Sequence, residues 1–378
     1  MGRSESILSN LTSLLIRSEY IRSNDTGAPM RKIVFVSYLD LHYSRSGVLA
    51  SAMRKVTSLE TQVYRLDNFR IYELVNFALY LRRLDFETTS ILIMSPAQVL
   101  TMFARFFFKG SIILDAGWPL SDSSRIRKGV NSFSYVKDLF IDLIAMKISD
   151  KVILESRAQV RNLKARRFKF RSEPLVIYTG VLENRFESSK SKRIQSANTR
   201  VIKNSKFKVI FRGKYNKESG LEYIQEIFAS RCDDWELIVC SADLPSSFPR
   251  VSGVRYLTQH ISDSELIREF KTVDMALGQF GTESRVKISI AHKIYEYAFF
   301  GIPTICIQDT AVEEIFKRDE FYFIKREDLG KFLDSCLEDR NIFAKELQNR
   351  SVKIREKYSR ACSEVVIAQE FMKIFEDI

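Results

Sequence analysis

Short apolar runs alternate along the chain with stretches that have the spacing of amphipathic helices. Lys32–Tyr38 is a compact run rich in β-branched residues, which is typical of a buried parallel strand. Ser44–Gly47 supplies a turn of small residues, and Val48–Leu59 then has helical spacing. A strand, a turn and a helix in this order open a Rossmann-like unit.

The same alternation continues as far as residue 186. Further strands are predicted at Gln62–Leu66, Ser90–Met94, Ser111–Leu114, Lys151–Leu154 and Leu175–Tyr178. Helices are predicted at Ile71–Leu84, Gln98–Phe108 and Val136–Ile148. Strands that alternate with helices indicate a parallel sheet covered on both faces.

A polar segment rich in lysine and serine, residues 187–205, reads as a linker, and the alternation restarts after it. Strands are predicted at Lys208–Phe211, Trp235–Cys240, Val254–Leu257, Met275–Leu277 and Ile302–Ile307, and helices at Leu221–Ala229, Asp263–Thr272, Lys293–Phe300 and from about Ile342 onward. We therefore predict a weakly ordered extension (1–30), two domains (31–186 and 206–355) and a closing helical segment (356–378).

Composition narrows the class of protein. The chain has 378 residues, of which 45% are hydrophobic and 28% charged, enough for two cores. No run of about 20 apolar residues and no secretory pattern are found, and five cysteines without a CxxC pair favour a reducing compartment. A cytoplasmic protein is expected. The three histidines lack metal-ligand spacing, so no metal is expected.

The net charge of +12 predicts an anionic partner: nucleic acid, lipid headgroups or phosphorylated substrates. No RNA-binding, zinc-finger or homeodomain pattern occurs, so we expect no nucleic acid partner. A dehydrogenase is disfavoured because no GxGxxG follows the first strand.

Two segments of the second half have the chemistry of a phosphate and ribose site. Arg212, Gly213 and Lys214 follow a predicted strand and precede a helix, so the backbone and two cations could approach an anion there. Lys293 and Glu296 share one helix face, and the carboxylate could accept hydrogen bonds from ribose hydroxyls. The alternatives are a glycine turn with solvated cations and a surface ion pair.

Candidate acceptor residues lie in the first half. Asp115 or Asp122, after a predicted strand, could orient an acceptor hydroxyl, and Trp118 could stack on a sugar face. Ser46 and Gly47 could line the same cleft. The alternative is that Asp115 caps a turn and that Trp118 packs.

Several segments, taken together, resemble the retaining glycosyltransferases of family four, which have the GT-B fold. They are Ile148–Ser156 (ISDKVILES), Val176–Val181 (VIYTGV), Phe211–Lys214 (FRGK) with Gly220, Lys293–Ile305 (KIYEYAFFGIPTI) and Ala311–Ile315. The resemblance implies two Rossmann-like domains facing across a cleft, and a C-terminal helix, about Ala361–Phe375, that crosses back to the first domain. It also implies a UDP- or GDP-linked sugar as donor and a saccharide or lipid-linked acceptor.

The resemblance also assigns roles to individual residues. Glu296 would bind the donor ribose, Lys214 the diphosphate with help from Arg212 and Arg285, and Gly281 and Thr282 the donor sugar. We take Asp115 and Lys214 as the predicted catalytic residues. Many family members carry a second glutamate at the position of Ile288. Its loss keeps a catalytically degenerate binding or scaffold protein open as the alternative.

Two features suggest peripheral contact with an anionic membrane, at its inner face. The segment 157–171 holds seven cations and no acid: Arg157, Arg161, Lys164, Arg166, Arg167, Lys169 and Arg171. Phe103 and Phe106–Phe108 form an aromatic cluster in the same half. Such features can dock a protein on anionic lipid; the alternative, which usually holds for either feature alone, is a solvated basic helix and a buried aromatic face.

Overall fold

The computed structural model describes residues 31–38, 45–56, 59–67, 69–186, 206–259 and 261–376. The predicted extension 1–30, the predicted linker 187–205, His42 and His260 lie outside these ranges. Two parallel sheets of six strands each, flanked by helices, form the described chain. The predicted α/β class with two Rossmann-like units is confirmed, while the exact domain boundaries stay a prediction.

The first sheet has the strand order β2-β1-β3-β4-β5-β6. Its strands are β1 (Arg31–Ser37), β2 (Leu59–Arg65), β3 (Thr89–Met94), β4 (Ser111–Asp115), β5 (Lys151–Leu154) and β6 (Leu175–Val176). Its helices are α1 (Arg45–Arg54), α2 (Ile71–Arg83), α3 (Val99–Phe107), α4 (Leu120–Lys128), α5 (Phe133–Ile148) and α6 (Arg157–Ala165). β3 is buried along its whole length, which explains its unbroken apolar run.

The two faces of this sheet carry different helices. Val34 and Ile91 point toward a core that contains residues of α2, α3 and α5. Ile33 and Phe35 alternate with them and point to the opposite face, against α1. The layer made of α2, α3 and α5 therefore forms one outer wall of the first unit.

The second sheet has the order β12-β11-β10-β7-β8-β9. Its strands are β7 (Phe207–Arg212), β8 (Trp235–Cys240), β9 (Val254–Leu257), β10 (Met275–Leu277), β11 (Thr304–Ile307) and β12 (Tyr322–Ile324). Its helices are α7 (Leu221–Ala229), α8 (Asp263–Thr272), α9 (His292–Phe300), α10 (Leu329–Ser335) and α11 (Arg340–Ala361). β8 and β9 lie on one side of β7, whereas β10, β11 and β12 lie on its other side. The strand order therefore reverses between β7 and β10, and a crevice opens there at the carboxyl ends of the strands.

The last helix, α12 (Glu364–Glu376), returns to the first sheet. Its Ile367, Phe371 and Phe375 belong to the same apolar core as Ile33 and Phe35 of β1. Arg31 Nη1 also donates a hydrogen bond of 2.8 Å to the carbonyl of Phe375. The predicted crossing helix is thus confirmed.

Two local expectations were wrong, and three elements were missed. The helix predicted to reach Leu59 ends at Arg54, and Leu59 instead begins β2, because its apolar side chain suits either element. The predicted strand at Ile302 begins only at Thr304, after Pro303, which cannot donate to a ladder. The short elements α4, β12 and α10 were not predicted, because each is too short to show a clear period.

None of the helices in the described ranges is long and apolar enough to cross a membrane.

Candidate functional site

Two loops meet in the crevice of the second sheet. Gly213 follows β7 with φ of +144°, a conformation that favours glycine, and its N–H donates to Cys240 O over 3.0 Å. After β10, Gly281 N donates to Glu218 O over 3.0 Å, which joins this loop to the one that follows β7. A Cβ on Gly281 would lie 2.1 Å from the Lys217 carbonyl oxygen. Only glycine therefore permits this close approach.

Helix α9 places Glu296 beneath the first loop. Its carboxylate is fully buried, and Oε2 accepts a hydrogen bond of 2.6 Å from Arg212 Nη1. The other oxygen, Oε1, lies 3.5 Å from His292 Nδ1 and makes no hydrogen bond. Burial alone would raise the pKa of Glu296, but the charge of Arg212 and the contact with the His292 side chain outweigh it and hold the pKa below its usual range. Glu296 is an ionised acceptor with one oxygen to spare.

Lys293, one turn earlier, is a buried amine next to Gly213. Its side chain is 6% exposed, and Nζ lies 3.5 Å from the centroid of the Phe211 ring. No carboxylate of the described chain forms an ion pair with it. Burial, with the nearby positive charge of Arg212, lowers the pKa of Lys293 well below its ordinary value. An anion bound at Gly213 would relieve this unfavourable position.

Arg285 contacts both halves of the molecule. Arg285 Nη1 donates to Glu218 Oε1 and Oε2 over 3.0 and 3.2 Å. Its guanidinium carbon also lies 4.2 Å from the ring centroid of Trp118, which belongs to the first unit. Trp118 is 53% exposed, so its ring forms part of the rim of the cleft between the units.

The opposite wall holds a buried charge network. Arg45 Nε donates to both oxygens of Asp115, at 2.9 and 3.1 Å, and Nη1 donates to Ile177 O and to Thr179 Oγ1. Thr179 Oγ1 in turn donates to Glu155 Oε1 over 2.8 Å. Burial raises the pKa of Glu155, and the charge of Arg45 only partly offsets this. Arg45 Nη2 is buried without a hydrogen bond.

The predicted site residues divide into two groups. Those of the donor side, Arg212, Gly213, Lys293 and Glu296, are contiguous, and Gly281 adjoins them through the paired loops. Lys214 and Thr282 follow in the chain with exposed side chains. The amino group next to Gly213 belongs to Lys293, since a Cβ at Gly213 would lie 3.9 Å from Lys293 Nζ.

The acceptor side is less open than predicted. Both oxygens of Asp115 are engaged by Arg45, and Asp122 accepts a hydrogen bond of 2.6 Å from Arg166 Nη1. Ser46 and Gly47 are buried in the first turn of α1. Among the predicted acceptor residues, Trp118 alone presents an exposed side chain to the cleft.

Sequence reasoning missed Arg45 and Glu218. Arg45 makes its contacts 70 and more residues away in the chain, at Asp115, Ile177 and Thr179. Glu218 lies 67 residues from Arg285. Neither pairing leaves a local pattern. The one available signal was that each is a charged residue close to a predicted strand-to-helix turn.

Comparison with known proteins supports the fold through structure alone. No family model matches the chain, and no curated protein matches its sequence. Solved structures do match over nearly the whole length. HepE of Anabaena in complex with UDP-glucose superposes with a TM-score of 0.66 at 14% identity, over 92% of this chain and 100% of that one.

Two other structures give a similar result. A lipopolysaccharide outer core galactosyltransferase, WaaB, has a TM-score of 0.61 at 12% identity, over 92% of this chain and 100% of its own. Sucrose-phosphate synthase from Thermosynechococcus elongatus has a TM-score of 0.61 at 12% identity, over 92% and 98%. These likenesses, with the two facing parallel sheets and the returning C-terminal helix, show that the chain has the GT-B fold.

Proposed function

We propose that the protein is a glycosyltransferase that moves a sugar from a nucleotide-activated donor to a saccharide or lipid-linked acceptor, with retention of configuration, in the synthesis of a surface polysaccharide or glycoconjugate. The observation that carries the proposal is the carboxylate of Glu296, which is buried and ionised and keeps one oxygen without a hydrogen bond. Such an oxygen is matched by a donor hydroxyl from a bound ligand.

A nucleoside diphosphate satisfies each group of this crevice. A ribose hydroxyl donates to Glu296 Oε1, as acidic residues accept from ribose in other doubly wound sheets. The diphosphate lies against Gly213 and is neutralised by Lys293 and Arg212, with Lys214 at the open side. Gly281 and Thr282 then adjoin the donor sugar, and Arg285 closes the cleft from above. The HepE structures contain UDP-glucose, or UDP with glucose, which favours a UDP-linked donor here.

The chemical step follows from this charge distribution. The bond between the sugar and the diphosphate breaks through an oxocarbenium-like sugar, and negative charge develops on the departing phosphate. The acceptor oxygen forms the new bond to the same carbon, and its proton passes to the departing phosphate oxygen. Cations fixed in a partly dehydrated crevice stabilise that charge without reorganising. Among the described residues, no group of three or more histidine, cysteine or acidic side chains is placed to hold a metal ion. We propose a metal-independent departure, which predicts turnover unchanged by EDTA.

The role proposed for Asp115 differs from the catalytic role expected from the sequence. Because Arg45 engages both of its oxygens, we propose that Asp115 positions Arg45, which in turn holds Ile177 O and Thr179 Oγ1 of this wall. Trp118, exposed at the rim, remains the proposed surface for an acceptor sugar. Three further residues support this wall from its buried side: Asp122, which binds Arg166, and Ser46 and Gly47 in α1.

One observation favours a second candidate, a binding protein without turnover. Ile288 stands where many members of the family that the sequence resembles carry a glutamate, and its carbonyl accepts a hydrogen bond of 2.6 Å from Ser156 Oγ of the first unit. In this reading the crevice holds a nucleotide and the sugar is never transferred.

Release of nucleotide from a panel of UDP- and GDP-sugars separates the two candidates. A transferase releases UDP or GDP, and Glu296→Gln and Lys214→Ala lower the rate, whereas the surface change Glu226→Gln does not. A binding protein shows saturable affinity that Glu296→Gln weakens, and no release with any donor or acceptor. Absence of both binding and release would remove the proposal.

A further inference from the structure

The outer wall of the first unit, the layer of α2, α3 and α5, has an unusual surface for helices that face away from the core. Fourteen residues on these helices are exposed, and nine of them are large and apolar. Four of the others are cations, and the remaining one, Asn76, is uncharged. No acidic side chain on these fully described helices is exposed.

A helix of the second unit shows what an ordinary solvated surface looks like in this protein. α11 has ten exposed residues, of which only Ile342 and Val352 are large and apolar. The rest are charged, amide or hydroxyl side chains, and they include Glu356. The wall therefore differs from α11 mainly in its apolar content; both surfaces carry more exposed cations than acids, and the wall carries no exposed acid.

The apolar side chains form stripes rather than scattered points. On α2, Ile71, Val75 and Leu79 are spaced four apart, so they lie in line along one face, with Ile71 81% exposed. On α5, Phe133, Val136 and Phe140 repeat three and four apart, with Phe133 83% exposed. α3 lies between these two helices and adds Val99 and Phe106.

The stripes have a direction relative to the cleft. Since each helix returns antiparallel to the strands, α2, α3 and α5 all begin at the carboxyl edge of the sheet, where the cleft opens. Most of the exposed apolar residues lie in the first half of α2 and α5, toward this edge. The cations Arg82, Arg83 and Lys147 lie at the other ends of the same helices.

The basic end continues past the helices. At the amino edge of the sheet, a cavity of about 570 Å³ is lined by Arg105, Lys109, Lys151 and Arg171, with Asp150 as its one acid and Phe86 at its side. Arg105 and Arg171 both donate hydrogen bonds to Asp150, the one acid of the cavity. Lys109 forms no ion pair with an acid among the described residues. Cations beside an apolar surface are the pattern that binds anionic lipid headgroups.

We propose that this wall docks on an anionic membrane, with the apolar stripes at the lipid and the edge of the cleft brought to the bilayer surface. We choose a membrane over a second copy of the chain because exposed cations without exposed acids accompany the apolar stripes, which complements an anionic surface. Docking itself does not depend on the proposed function. The choice of acceptor does rest on it: a cleft held at the bilayer selects a lipid-linked acceptor over a soluble saccharide.

The surface differs from the one expected from sequence. Within the predicted aromatic cluster, Phe106 is 87% exposed, while Phe108 is buried and Phe103 and Phe107 pack against the core. Four of the seven cations of the basic segment 157–171 form ion pairs: Arg161 with Glu314, Lys164 with Glu173, Arg166 with Asp122 and Arg171 with Asp150. The proposal rests instead on the exposed stripes of α2 and α5. Their apolar spacing is also that of a buried helix face, so the sequence alone does not show that they are exposed.

Vesicle sedimentation without nucleotide tests the docking. The wild-type protein should sediment with vesicles of equal parts phosphatidylcholine and phosphatidylglycerol, and weakly with phosphatidylcholine alone. The double change Ile71→Ser with Phe133→Ser should lower the apparent affinity by about tenfold or more, since two inserted side chains are lost. Both side chains are exposed, so the variant should melt like the wild type.

The control carries Ile342→Ser with Val352→Ser on α11 and should sediment like the wild type. Wild-type protein that stays in the supernatant with anionic vesicles would overturn the proposal, as would full binding by the Ile71→Ser, Phe133→Ser variant. A lipid-free dimer that the same variant dissociates would assign the face to a second copy and also overturn it. Nucleotide titration in the absence of vesicles reports the proposed function separately.

Discussion

Arg212 donates a hydrogen bond of 2.6 Å to Oε2 of Glu296 and so joins the end of β7 to helix α9. This contact uses one oxygen of a fully buried carboxylate and leaves Oε1 without a hydrogen bond. An unsatisfied buried acceptor costs about 1–3 kcal/mol, which a ligand that supplies a donor recovers. A ligand that donates a hydrogen bond to Oε1 is therefore expected to gain affinity from this contact.

Nucleotide binding is expected to take up a proton at Lys293. Burial lowers the pKa of this amine in the free protein, and a diphosphate placed beside it raises that pKa again. The bound state therefore holds more protons, and affinity should fall as pH rises through the lowered pKa. Titration calorimetry in buffers of different ionisation enthalpy measures this uptake.

Lys293→Met should abolish the proton uptake and most of the affinity, while Lys271→Met, on the exposed face of α8, should change neither. The free Lys293→Met protein should gain about 1–2 kcal/mol in free energy of unfolding at neutral pH, because a buried amine without a carboxylate partner is removed. Unchanged pH dependence in Lys293→Met would show that another group takes up the proton.

Asp115→Asn should act mainly on stability. The change leaves Arg45, which is 13% exposed, facing a neutral amide, and loss of one partner of a buried pair costs about 3 kcal/mol. Chemical denaturation measures this loss, and nucleotide affinity should stay near the wild-type value. Asp67→Asn breaks an exposed pair with Arg65 and should cost less than about 1 kcal/mol. A large loss of turnover with unchanged stability would instead restore Asp115 to a direct role in catalysis.

Gly281→Ala should disconnect the two loops of the crevice. The added Cβ would lie 2.1 Å from Lys217 O and 2.7 Å from Glu218 Cα, so one loop must move. We expect a loss of about 2–3 kcal/mol in stability and a strong loss of nucleotide affinity. Gly129→Ala is the matched control: it has φ of +80° with open space around it and should cost only about 1 kcal/mol. Wild-type affinity in Gly281→Ala would exclude this loop from the donor site.

The sequence predicted the parts of the site that follow from local periodicity. Strand ends and the helix of Lys293 and Glu296 were predictable, because apolar period and glycine position report on the chain within a few residues. Their proximity to Gly213 followed from the rule that ligands bind beyond the carboxyl ends of strands. The two Rossmann-like units were predictable for the same reason, whereas the GT-B arrangement and the crossing helix came from the family resemblance.

The remaining parts depend on contacts distant in the chain. The pairing of Arg45 with Asp115, and of Glu218 with Arg285, is fixed only once the strands are ordered in the sheet. The same applies to Asp122, whose predicted acceptor role conflicts with a partner, Arg166, that lies 44 residues later. A single sequence contains the charges but not their pairing.

Calorimetric titration of UDP and GDP into wild type, Glu296→Gln and Glu226→Gln measures whether the buried carboxylate of Glu296 binds a nucleotide. Glu296→Gln keeps the shape of the side chain, removes its charge and breaks the ion pair with Arg212. We expect one nucleotide to bind wild type and Glu226→Gln equally, and Glu296→Gln at least about tenfold more weakly, which corresponds to one lost charged hydrogen bond. Equal affinity in all three proteins, or no binding in any, would contradict this expectation.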